Sequence, residues 1–176
     1  MVEYTRPAPD EYAPYFQTYL DEVPADVTDI MKHLKQQGLI WLNLLRNIDE
    51  QQAEHRYAPD KWSVKEMVGH LIDTERVFAF RALWIGRGAP EDQPGMDENA
   101  WARVSGSHAR PLPALWREQH VCRTDHVYLF RSLDEAAVAR CGTADGKALS
   151  VRAIPWIIAG HEKHHLEVLK ERYGLG

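Results

Sequence analysis

Cysteine is nearly absent: Cys122 and Cys141 are the only two in 176 residues, far apart and without CxxC spacing. No disulfide framework or cysteine-built zinc site can organise such a chain, and both thiols are expected to be reduced packing or surface residues. Positive charge is also in short supply, with 21 Lys and Arg against 26 Asp and Glu and a net charge of −5. With no Lys/Arg-rich stripe, a sequence-independent grip on nucleic acid and binding to an anionic membrane surface are both disfavoured. No apolar run approaches the roughly 20 residues of a membrane span. The stretch from Met1 to Asp10 is polar and proline-bearing, without the apolar centre of a signal peptide, so a cytoplasmic protein is expected. Sustained apolar/polar alternation is missing too, as are internal repeats, which leaves no convincing strand.

What is present is helical periodicity. One domain over residues 1–176 is expected, with residues 1–24 as an N-terminal strap: Glu11 to Val23 is aromatic and broken by Pro14, and reads as a segment with a short helical turn laid across the domain. A first long helix is predicted over Ala25 to Ile48, with Ile30, Leu34, Leu44, Leu45 and Ile48 at helical spacing. Asp49 to Trp62 is polar and ends in the turn signal Pro59-Asp60. Ser63 and Glu66 then form a capping box that starts a second helix, running to about Gly86 with Met67, Leu71, Phe78 and Ile85 on its inner stripe. Arg87 to Arg110, rich in Gly and Pro, is a long crossover with a short helix near Asp97 to Val104. A third helix is predicted over Pro111 to Ser132, offering Leu115, Val121, Tyr128 and Leu129 to the core, followed by a helical extension from Asp134 to Arg140. Gly142 to Gly146 reads as a turn, and Ser150 as the cap of a last helix ending at Gly174. Pro155 inside that helix implies either a kink or a late start. The expected architecture is all-α, a four-helix bundle with its long connection between the second and third helices.

Three of the nine histidines fall within Gly160-His161-Glu162-Lys163-His164-His165. His161 and His165, four apart on a helix, share a face and can offer two imidazoles to one point. A third ligand is needed, and His70, embedded among core-forming residues of the second helix, is the leading candidate. Gly69 and Gly160, each preceding a histidine, would let the two helices approach closely. His164 points about 100° from His165. His33, His55, His108, His120 and His126 lack a partner at such spacing, although the third helix can turn His126 toward the site. Asp73 and Glu162 are candidate carboxylate partners for the ligands' second nitrogens. The cluster formally matches H-E-x-x-H, in which the Glu serves as general base. Its extended form is broken, because Val168 and Glu171 stand where glycine and histidine should be, so the third ligand is expected upstream.

With Tyr57-Ala58-Pro59, Lys61-Trp62-Ser63-Val64-Lys65-Glu66, Gly69-His70-Leu71-Ile72-Asp73-Thr74-Glu75, Ser150-Val151-Arg152-Ala153 and the final histidine cluster, nearly the whole chain resembles the DinB/YfiT-like family of metalloenzymes. The resemblance implies a four-helix bundle of unusual connectivity, a homodimer, and a divalent metal held by His70, His161 and His165. Zinc or nickel leads among the metals, iron and copper also accepting imidazole. It also implies a thiol S-transferase-like activity, in which the metal activates a small-molecule thiol, bacillithiol or similar, for attack on an electrophilic substrate. Two alternatives stand beside it: a metal-dependent hydrolase with Glu162 as a candidate catalytic base, and a non-catalytic, stress-associated metal-binding dimer.

Overall fold

The computed structural model describes residues 2–176. Several of its helices start where a side chain takes up a free amide. The strap opens with two single turns of 3-10 helix, Pro9–Glu11 and Pro14–Phe16, and continues into α1, Gln17–Glu22. Helix α2 spans Ile30–Arg46, later than the predicted Ala25, because Asp29 caps it by accepting from the Lys32 amide at 2.9 Å. In the stretch read as a polar connection, Asp49 and Gln52 build a reciprocal capping box and start a short helix, α3, Glu50–Glu54. Ser63 and Glu66 cap α4, Val64–Gly86, as expected. The crossover carries α5, Glu98–Val104, capped by Asp97. Helices α6, Leu112–Ser132, and α7, Glu135–Val138, follow the predicted positions.

The predicted turn at Gly142 to Gly146 belongs instead to a β-hairpin, β1 Cys141–Ala144 antiparallel to β2 Lys147–Ser150. Four-residue strands are too short to show alternation, but the turn chemistry was visible: Asp145 and Gly146 both take positive φ, as an Asp-Gly hairpin turn requires. The hairpin is a local addition to the helical bundle. It binds the strap through the Ala13 amide to Ala148 O (2.7 Å) and the crossover through the Gln93 amide to Thr143 O (3.0 Å). Ser150 accepts from the Ala153 amide, and α8 runs Ala153–Tyr173 with Gly174 as a left-handed cap. Pro155 therefore sits in the first turn, where its missing N–H costs nothing: a late start, without a kink.

Helices α2, α4, α6 and α8 form the bundle around two apolar clusters. One joins Leu34, Phe78, Phe130 and Trp156 with the strap's Phe16 and Leu20; the other joins Trp41, Leu71, Leu115 and Leu169. Between them each long helix contributes a buried polar residue: Gln37, Glu75, Arg123 and Glu162. The Arg123 Nε and Nη2 donate to Glu75 at 2.7 and 3.0 Å, and Nη1 donates to Glu162 at 3.1 Å and to Leu34 O at 2.7 Å. Gln37 donates to Ala159 O at 2.9 Å. This layer corrects the expected inner face of α6. Val121 and Tyr128 are exposed, and the helix buries Gln119, Arg123 and His126 alongside Leu115, Cys122 and Val127, because the bundle needs polar groups at that level. No helix among the described residues is long and apolar enough to cross a membrane.

Candidate metal centre

The capping box at Ser63 sets the phase of α4 two turns before His70, and the i, i+4 spacing on α8 places His161 and His165 on one face. The three side chains meet. His161 Nε2 lies 3.0 Å from His70 Nε2 and 3.1 Å from His165 Nε2, and all three ligand atoms fall within 4.8 Å of one another. Thr74 Oγ1, one turn below His70, lies 3.3 Å from its Nδ1 and can take that proton, leaving the Nε2 lone pair for the cluster. Trp62 flanks the site, its ring 4.6 Å from His70 and 6.3 Å from His165, and Tyr19 sits edge-on to His161 at 5.4 Å.

Burial keeps the imidazoles neutral. It lowers the His70 pKa to about 4 and holds His161 and His165 well below the usual imidazole range, with the neighbouring imidazoles adding to the effect. Neutral nitrogens are what a metal requires. The fit is supported by the donor set: three Nε2 atoms facing one point, those of the buried His70 and His161 and the half-buried His165, cannot all satisfy one another with single protons. An all-imidazole set of this kind suits a borderline divalent cation.

The two glycines work as close-approach positions, but for other elements than expected. A Cβ on Gly160 would fall 1.7 Å from Tyr19 O, so it admits the strap helix α1; one on Gly69 would meet the Ser107 side chain of the crossover at 2.1 Å. Glu162 does not face the cluster. One carboxylate oxygen takes a hydrogen bond from Gln119 at 2.6 Å and the other from Arg123, and burial raises its pKa to about 7. Asp73 lies 4.0 Å from the Arg76 guanidinium on the outer side of α4, and Thr74 occupies the place expected for a carboxylate. His126 is buried beside Glu75, 3.3 Å from it, in the polar layer. His164 is exposed at the cavity rim, its ring 5.3 Å from that of His165.

The cluster opens into a cavity of about 250 Å³ whose walls come from the strap, α4, the crossover and the hairpin, including Tyr15, Phe16, Val77, Phe78, Met96 and Lys147. Sequence periodicity does not identify these walls, because they belong to four segments that only the tertiary fold assembles.

Fold and site define a four-helix bundle with a three-histidine, divalent-metal-binding cluster at one wall of a cavity. The chain belongs to the DinB superfamily, whose family profile matches residues 16–169. It is 24% identical over 123 residues, 67% of each chain, to a protein of Geobacillus thermodenitrificans (strain NG80-2) named "putative metal-dependent hydrolase". Its fold matches the structure of YfiT from Bacillus subtilis, described as "a probable metal-dependent hydrolase with an unusual four-helix bundle topology". The TM-score is 0.71 at 16% identity, over 88% of this chain and 94% of that one.

Proposed function

We propose that the protein is a metal-dependent hydrolase acting on a small substrate in the cavity beside His70, His161 and His165. The observation that carries this reading is the convergence of three neutral imidazoles, two buried and one half-buried, on a point bordering open cavity, the pattern of three protein ligands with a position left free for chemistry. A divalent cation held there by His70, His161 and His165, zinc or nickel being the leading choices, would supply Lewis-acid polarisation of a carbonyl or phosphoryl oxygen and would lower the pKa of a water nucleophile. The chain's own residues do the rest. Thr74 orients His70, Trp62 and Tyr19 wall the cluster from solvent, and Tyr19, its pKa pushed up to about 12 by burial, stays a proton donor at neutral pH. The relatives' names point the same way.

The second reading, thiol S-transfer, draws on the diversion of Glu162 into the polar layer. A thiol held as thiolate by a cation needs no protein base, whereas water activation usually has one nearby.

Elemental analysis of the purified protein comes first. About one metal per chain is expected, with the affinity of His70→Ala and His165→Ala variants reduced by more than about 100-fold, since even an outer partner is worth 10- to 100-fold. The metal-loaded protein is then offered esters, amides and phosphoesters, and separately bacillithiol, glutathione or coenzyme A with electrophiles. Conjugation without hydrolysis selects the second reading; a protein that takes up no metal sinks both.

A further inference from the structure

On α4, Arg81 lies eleven residues beyond His70, close to three full turns, so the two residues share a face separated by roughly 16 Å of helix rise. The same cavity reaches both. Thr74, Val77 and Phe78 line it between them, and Phe16 and Met96 close the middle from the strap and the crossover. Its chemistry thus runs from a histidine end through an apolar centre to a guanidinium end, with Glu98 and the Asp145–Lys147 pair also on the wall.

Arg81 is 8% exposed and pairs with no carboxylate among the described residues. Its Nη2 donates to Pro94 O at 2.9 Å, and the guanidinium carbon lies 5.4 Å from the centre of the Phe78 ring. The carboxylates nearest in influence are engaged elsewhere. Asp145 pairs with Lys147, and Asp92 accepts from the Gly146 amide at 3.2 Å. Its remaining donors reach the cavity and no protein acceptor among the described residues, so they are free to take a ligand anion. The other buried arginine in the bundle, Arg123, shows the contrast, with two carboxylates in contact.

We propose that Arg81 anchors a carboxylate of the substrate, so that the cavity selects small, elongated monoanions with an apolar middle and the reacting group at the histidine end. The planar fork of arginine matches a carboxylate through two parallel hydrogen bonds. A single cation suits a monoanion better than a dianionic phosphate ester, because Lys147, the other cation on the cavity wall, is neutralised by Asp145. This inference rests on the reading of the cavity as the substrate site of a hydrolase, and binding can be measured without turnover.

The test is calorimetric titration of the metal-loaded protein with hexanoate and with its neutral isostere hexanamide, on wild type and on Arg81→Gln. The glutamine keeps an N–H donor for Pro94 O. Hexanoate is expected to bind wild type at least about tenfold more tightly than hexanamide, and Arg81→Gln, with unchanged metal content, to erase that preference. A carboxylate captured by the metal alone would keep its advantage in the variant, and that result overturns the proposal. So does equal binding of acid and amide by wild type, which needs no variant. Phosphate-ester binding in preference to hexanoate also overturns it. A protein that hydrolyses esters but ignores the carboxylate refutes the anchor alone; one that prefers hexanoate through Arg81 but hydrolyses nothing refutes the hydrolase alone.

Discussion

Glu162 stands one residue from His161, yet successive helical positions diverge by about 100°, which sends its carboxylate toward Arg123 and Gln119 while the imidazole faces the cavity. Glu162→Gln is therefore expected to retain its metal and to keep kcat/KM within about threefold of wild type; loss of activity at full metal content would return Glu162 to the chemistry. The three histidines were legible because their signal is local, an i, i+4 pair plus one imidazole in an apolar helix. Trp62, Thr74, Tyr19 and Arg81 carry no such signal, since each gains its role only from what the fold sets beside it. Glu66 offers a pH test. Burial alone would raise its pKa, but Arg56, whose Nη1 and Nη2 lie 2.5 and 2.8 Å from its oxygens, and the Ser63 amide outweigh that and hold it low. A depressed carboxylate stabilises the fold above its unfolded pKa, and that contribution fades as pH falls through the folded value. Glu66→Gln, which preserves the helix cap, should cost about 1 kcal/mol at pH 7, with the gap in thermal midpoint closing below about pH 4.

At the scale of elements, the long helices were readable from periodicity and caps, and the errors cluster where local and tertiary forces compete. Asp49 and Gln52 made a helix from four polar residues and the buried Ala53 because the capping box suffices for one turn and a half. The hairpin exists because the strap and crossover supply hydrogen-bond partners on either side of it, partners that lie far off in sequence. The strap is the element most exposed to a single change. Because Gly160 touches the Tyr19 carbonyl, Gly160→Ala must push α1 off α8; about 2 kcal/mol of destabilisation is expected from overpacking, with weaker quenching or altered ring-current shifts of Tyr19 and His161 as the spectroscopic check. Unchanged stability would mean that the strap packs elsewhere.

For the whole molecule, the layer of Gln37, Glu75, Arg123 and Glu162 divides the core in two and was hidden from sequence reading, because a polar residue on a helix is by default assigned to solvent. Arg123→Met leaves the buried Glu75 with only His126 beside it and is expected to cost about 3–5 kcal/mol, measurable by chemical denaturation. A small loss would show that water replaces the guanidinium. The layer also has a consequence for alignment. Four helices joined only by apolar side chains can slide past one another by a turn and still find oil on every side. Here a slip of one turn carries a charge, or on α2 the Gln37 amide, into a hydrocarbon cluster, so only one vertical setting of the four helices is acceptable. That setting brings His70 level with His161 and His165, and a charge network that touches no substrate thereby acts as the ruler by which the metal site is assembled.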